Sequence, residues 1–207
     1  MPSTLILMDS YAPPEDKPKG YRRSYAVQDE GSGQVLARCD LYGQAAGTEV
    51  VIQGNEAQTW RMRPNRKVMP TLWTLYDHQG QPCFEIARQP AHKALNPLER
   101  NLFTLRVQPS GRTLVLRHQT ESRLDLVFGA GSLDWGLLEN GKTVAGLGRS
   151  KQGGSPDGWL GKLKGLMRPA YWTLISDASE PVLSAPAFLA VMLLFEAFVK
   201  TSEAGAW

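Results

Sequence analysis

Apolar and polar residues alternate along most of this chain, and short turns rich in glycine or acidic residues interrupt the alternation. The pattern is clearest in "YAVQDEGSGQVLAR" (25–38), "WTLYDHQGQPCFEIAR" (73–88), "FTLRVQPSGRTLVLR" (103–117) and "WGLLENGKTVAGLGR" (135–149). A looser copy is "EVVIQGNEAQTWRMR" (49–63). Period-two alternation on both sides of a Gly, Asn, Asp or Ser turn predicts a β-hairpin. Phe103, Leu105 and Val107 share one face, while Thr104, Arg106 and Gln108 share the other. Leu124, Leu126 and Phe128 oppose Arg123 and Asp125 in the same way. One dry face and one wet face mark antiparallel strands. The hairpin rules give about 12 strands, the last being "AYWTLIS" (170–176). No stretch before residue 180 carries helical periodicity, so the chain reads as mostly β.

The pattern changes at "PVLSAPAFLAVMLLFEAFVK" (181–200), where every residue from Ala187 to Phe195 is apolar. Pro186 suits a first helical turn and Ser184 is a candidate N-cap. A helix that is apolar all round must be buried on every side. A membrane span needs about 20 apolar residues. This run is shorter and ends at Glu196, which favours a helix buried in the protein over a membrane anchor. Closing the strands into a barrel would remove their edges and leave a wide interior. The expected fold is therefore a closed antiparallel β-barrel around the hydrophobic helix at 185–200. Residues 1–20 form a flexible arm in this reading, residues 21–200 the barrel domain, and residues 201–207 a tail.

Composition adds limits. The 207 residues, 42% hydrophobic and 21% charged, suit one globular domain with a large core. A net charge of +3 permits contact with phosphates or an anionic membrane without requiring either. Cys39 and Cys83 are far apart and outside any CxxC spacing, so both are expected reduced and structural, in a cytoplasmic protein. The N-terminus has no basic region ahead of an apolar run, as a signal peptide would.

The serial hairpins, the phrase "WTLYDHQGQPCFEIAR" and the terminal "LSAPAFLAVMLLFEAF" resemble the Tubby-like superfamily. That group includes the Tubby C-terminal domain, the LURP-one-related proteins and the phospholipid scramblases. The resemblance covers about residues 20–200. It implies a barrel threaded by the helix and work at membranes through phosphoinositides or other phospholipids. The chain departs from the scramblases in having no cysteine cluster, no Pro-rich N-terminal extension and no acidic calcium loop of the EF-hand kind. Scramblase activity is not implied, and no basic set matches Tubby's phosphoinositide site position by position.

Catalytic motifs do not assemble. "GLLENGKT" (136–143) fits the P-loop spacing, with Lys142 and Thr143 in the phosphate positions. A P-loop must join a strand to a helix, whereas Asn140-Gly141 is a hairpin pair with strand on both sides. "GGSPD" (153–157) lacks the last glycine of a nucleophile elbow. His78, His92 and His118 have no zinc spacing; His78 is expected in an exposed turn and His118 at a strand end on the surface. Asp29, Asp77 and Glu139 fall at hairpin turns, where turn geometry explains them. No catalytic, cofactor or metal residue is assigned, and no nucleic-acid signature is present.

Basic residues carry the functional hint. "RMRPNRK" places Arg61, Arg63, Arg66 and Lys67 at a strand end and its loop. "GWLGKLKGLMRP" (158–169) sets Lys162, Lys164 and Arg168 beside Trp159 and several apolar residues. Such a loop can insert apolar side chains among lipid headgroups while each lysine or arginine gains about 1 kcal/mol at an anionic surface. The alternative for both is an ordinary solvated face. The expected function is non-enzymatic binding of acidic phospholipid or work at a membrane surface, peripheral to its inner face. The competing reading is a protein–protein adaptor that uses the arm segment "STLILMDSY" (3–11) as a strand for a partner's sheet.

Overall fold

The computed structural model of the protein describes residues 3–9, 19–43, 45–89, 101–118, 135–151, 170–176 and 182–203. Twelve strands form one closed antiparallel barrel: β1 (Ser3–Asp9), β2 (Tyr21–Asp29), β3 (Val35–Tyr42), β4 (Val50–Gly54), β5 (Thr59–Pro64), β6 (Leu72–Tyr76), β7 (Pro82–Arg88), β8 (Asn101–Val107), β9 (Arg112–His118), β10 (Trp135–Glu139), β11 (Lys142–Lys151) and β12 (Ala170–Ser176). Each strand pairs with its neighbours in sequence, and β1 closes the ring by pairing with β12. A helix, α1 (Ala185–Glu203), follows β12.

The expected hairpins all form. The turn at Asn140-Gly141 shows why the local sequence decides them: both residues have positive φ, +50° and +78°, the conformation a two-residue hairpin requires. Lys142 pairs with Glu139 across that turn and continues as β11, so the P-loop spacing sits on a strand–turn–strand unit. Asp29 accepts hydrogen bonds from the backbone N–H and hydroxyl of Ser32, both at 2.7 Å. Asp77 accepts from the N–H groups of Gln79 and Gln81 at 2.9 and 2.8 Å. These carboxylates hold turns, as read from the sequence. Residues 123–128, 153–157 and His92 lie outside the described residues.

Two expectations are corrected. The N-terminal arm is not wholly a free segment, because Ser3–Asp9 is a barrel strand with β12 on one edge and β2 on the other. Its Leu5 and Leu7 alternate into the core at 2% exposure each, which is what ties the segment down. With both edges paired, its backbone is not available to a partner's sheet. His118 does not lie on the surface: it is 7% exposed and packs edge-on against Trp135 at 5.0 Å. It shares the inner face with Leu114 and Leu116, so the period-two rule places it inward.

The helix fills the barrel. Ala185 and residues 187–195 of α1 are buried, and the N–H of Phe188 donates to the carbonyl of Ser184, which therefore occupies the N-cap position. The helix lies closest to β1–β4. Small inner residues there, Ala37 and Cys39, make room for it. Aromatic residues fill the wider gap elsewhere: Phe195 meets Trp135 and Trp172 edge-on at 5.1 and 5.0 Å, and Phe198 meets Trp73 at 5.5 Å. Tyr25 donates its hydroxyl proton to Glu196 at 2.8 Å, which provides for the carboxylate that ends the apolar run. The helix runs through Glu203, into the segment expected as tail. Among the described residues no helix is long and apolar enough to cross a membrane.

Antiparallel order sorts the connections by end. Residues 30–34, 55–58, 77–81, 108–111 and 140–141 make short turns at one end, and α1 starts there. The opposite end, where α1 finishes, carries the 43–49 and 65–71 connections and the strand ends that flank residues 10–20, 89–100, 119–134 and 152–169.

Candidate functional site

The loop between β5 and β6 stands at the end of the barrel where α1 finishes. Asn65 closes it: its N–H donates to the carbonyl of Leu72 at 2.8 Å, and its Oδ1 accepts from the N–H groups of Thr71 and Leu72. Arg66 Nε donates to the carbonyl of Met69 at 2.8 Å and ties the tip. The carbonyl of Lys67 lies against Gly47, where an added Cβ would approach to 3.3 Å, so the 45–48 turn backs the loop. Pro70 is buried and anchors its far side.

This arrangement turns two apolar side chains outward. Val68 is 75% exposed and Met69 80% exposed. Met69 also has φ +48°, a left-handed conformation that costs a residue with a Cβ about 1–2 kcal/mol. Hydrogen bonds at both ends of the loop hold a strained backbone that presents apolar surface to solvent. Arg66 and Lys67, both exposed, stand beside that surface. Tyr42, 45% exposed at the end of β3, stacks edge-on against Tyr21 on the same end of the barrel.

The four basic residues of 61–67 do not act as one cluster. Strand alternation puts Arg61 and Arg63 on the outer wall of β5, below the tip. There Arg61 Nη1 and Arg63 Nε each donate to Glu49 at 2.8 Å. Hydrogen bonds from Arg61, then Arg63, hold the Glu49 carboxyl below the usual carboxylate range. All three side chains remain substantially exposed, so the pairing adds little stability. The Arg63 guanidinium also lies 5.5 Å from the centre of the Tyr76 ring. With Thr59, Asp77 and His78, these groups line an open groove of about 480 Å³ running toward the 77–80 turn. His78 is exposed there, as expected. Four cations against Glu49 and Asp77 leave two positive charges over tip, wall and groove.

Trp159, Lys162, Lys164 and Arg168 lie outside the described residues. The strand ends that flank their segment, Lys151 and Ala170, pair with each other at the same end of the barrel as the 65–71 loop.

Other candidates take structural places. Burial pushes the Cys39 thiol up to about 12, with Asp40 adding to it, and pushes the Cys83 thiol up to about 11. Both are unpaired thiols and stay protonated at neutral pH, which suppresses nucleophilic and ligand behaviour. Glu139 accepts a two-pronged ion pair from Arg112 on the neighbouring β9.

Sequence reasoning found the cations and missed Val68, Met69 and Tyr42. The signal was present in "NRKVMP", an apolar pair enclosed by the loop-forming Asn65 and Pro70. Comparison of the chain with protein-family models, curated proteins and solved structures finds no match.

Proposed function

We propose that this protein is a non-enzymatic barrel of the Tubby-like type that docks peripherally on membranes containing acidic phospholipid. The carrying observation is the β5–β6 loop, whose ordered backbone exposes Val68 and Met69 beside Arg66 and Lys67. The closed twelve-strand barrel around a hydrophobic helix supports the superfamily assignment. Trp159, Lys162, Lys164 and Arg168, outside the described residues, belong to the same proposal as a second basic and apolar element for acidic lipid.

Magnitudes favour a weak, reversible association. Burying the exposed parts of Val68 and Met69 contributes about 2–4 kcal/mol together. Arg66 and Lys67 add about 1 kcal/mol each at an anionic surface. The sum of about 4–6 kcal/mol corresponds to dissociation constants from millimolar to tens of micromolar in accessible lipid. That is the strength of a peripheral contact, near that of a single acyl anchor.

The test is flotation of full-length protein with neutral and anionic vesicles at low and high salt. Salt-sensitive flotation with anionic vesicles alone is expected. Val68→Ser with Met69→Ser should weaken it about tenfold or more. Lys162→Glu, Lys164→Glu and Arg168→Glu together should weaken it as well. No flotation under any condition would overturn the docking proposal. Equal, salt-resistant flotation with neutral vesicles would overturn its electrostatic part.

A further inference from the structure

The inner face of the barrel is apolar along nearly its whole length and becomes cationic where α1 finishes. Arg23 stands two residues before Tyr25 on the face that continues through Val27 into the core. Arg88 stands two residues after Ile86 on the inner face of β7, with its guanidinium 4.1 Å from the centre of the Phe198 ring. Period-two alternation would place apolar residues at both positions.

A cavity of about 510 Å³ opens at this mouth between β2, β3, the 43–46 turn and α1. Gly43, Ala45, Ala46 and Ala197 leave the room, and Leu41, Leu193 and Phe198 supply apolar wall. Arg22 is exposed at the rim, with Arg23 beside it, while Tyr25 and Leu193 are buried at the base. Glu196, on the helix side of the cavity, accepts the Tyr25 hydroxyl bond. The volume falls within the range of small-molecule sites, and apolar walls with a few placed polar groups are their usual lining.

We infer that this mouth binds a single-chain anionic amphiphile, its acid head at Arg22 and Arg23 and its chain against Leu41, Leu193 and Phe198. Arginine serves carboxylate and phosphate heads alike through its planar fork of donors, so both belong to the ligand class. The inference goes beyond membrane docking and does not rest on it, since such a ligand can enter from solution.

The experiment is a fluorescence titration of full-length protein with dansyl-undecanoic acid, without vesicles, so a failure of membrane docking leaves it unaffected. Saturable binding at one site is expected, displaced by oleate and by oleoyl lysophosphatidate; the two competitors separate a carboxylate from a phosphate head. Oleyl alcohol, with the same chain and no charge, should compete about tenfold or more weakly. Ala46→Trp fills the cavity and should weaken the probe by a similar factor. If Ala46→Trp does not fold, Ala197→Leu tests the same wall from the helix. Arg22→Glu, at an exposed position, should weaken both acids while leaving the alcohol unchanged. Absence of saturable binding, oleyl alcohol competing as well as oleate, or wild-type affinity in both the cavity-filling and Arg22 variants would each overturn the inference.

Discussion

Replacing Glu49 with glutamine should strengthen binding to anionic vesicles, an outcome that a merely solvated charge surface would not give. Glu49 accepts hydrogen bonds from Arg61 and Arg63, both at 2.8 Å. Glutamine keeps the size and an acceptor oxygen but removes the negative charge, so the tip and wall gain one net positive charge. The pair sits on the wall: Arg63 is the residue before Pro64, where β5 ends, and Arg61 is two further back. At about 3.3 Å per residue, the added charge lies roughly 7–15 Å behind the tip. The Debye length is about 10 Å at 0.1 M salt, so the charge is felt at the membrane but partly screened. From about 1 kcal/mol for a cation at the surface, screening over that distance leaves roughly 0.2–0.5 kcal/mol at 0.1 M salt, about a 1.4- to 2.3-fold gain that grows at lower salt. The side chains are 52% exposed for each arginine and 37% for the glutamate, so losing the pair costs under about 1 kcal/mol of stability. Vesicle sedimentation of wild type and Glu49→Gln, at several salt concentrations, measures the effect. The gain should appear at low salt and fade as salt rises. Unchanged binding at low salt, with the thermal midpoint preserved, would refute the reasoning that this wall faces the membrane.

Three further outcomes test the fold. Phe195→Ala should cost about 3–5 kcal/mol in denaturant unfolding, because Phe195 is 2% exposed and wedged between Trp135 and Trp172. A cost under about 1 kcal/mol would mean the helix is not seated among these rings. Gly54→Ala should destabilise by about 1–3 kcal/mol although alanine ordinarily suits an extended strand better, since the new Cβ would lie 2.3 Å from Trp60 Cζ3; a raised melting temperature would contradict this packing. The carboxyls of Asp29, Glu49 and Glu139 are all held low, by hydrogen bonds from Ser32, Arg61 and Arg112 respectively. Groups depressed in the folded state stabilise it above their ordinary values of about 4 and lose that contribution as pH falls through the folded values. Any stability deficit of a Glu49→Gln, Glu139→Gln variant should therefore shrink on acidification, and a deficit that grew below pH 4 would reverse the sign.

Much of the fold was legible because the barrel is built from local rules. The hairpin at Asn140-Gly141 needs positive φ at two adjacent positions, and Asn-Gly supplies it without reference to the rest of the chain. The helix was legible because a segment apolar on every face has one kind of destination in a closed barrel. Ser3–Asp9 was harder: its pairing with β12 joins the two ends of the strand series, and nothing local in "STLILMD" specifies that contact. For His118 the two signals conflict: a polar residue at a strand end suggests the surface, whereas register with Leu114 and Leu116 turns it inward. The candidate surface was half legible. Charge identifies Arg66 and Lys67, but the exposure of Val68 and Met69 depends on a left-handed Met69 fixed by bonds from Asn65 and Arg66. The Asn65 bonds reach across the loop to Thr71 and Leu72, so they depend on how β5 and β6 are set against each other.

A closed barrel restricts where function can lie. Each described strand is paired on both sides, β3 and β4 through only two register pairs, and α1 occupies the interior with Trp73, Phe103 and Phe188 at 1% exposure or less. Chemistry must therefore sit on the outer wall or at the ends. Among the described residues, the end where α1 begins carries short turns, and Asp29 and Asp77 are engaged in holding two of them. That end also has a left-handed Ala57 and a half-exposed Ile175, but the other end sets the left-handed Met69 beside Val68, both strongly exposed, and adds an open cavity beside the helix. Strain and exposed apolar surface persist in a marginally stable domain only when the surrounding structure fixes them, and they concentrate where a ligand is met. The asymmetry between the two ends thus points to the same face as the cations do, and it would do so if every lysine and arginine on that face were disregarded.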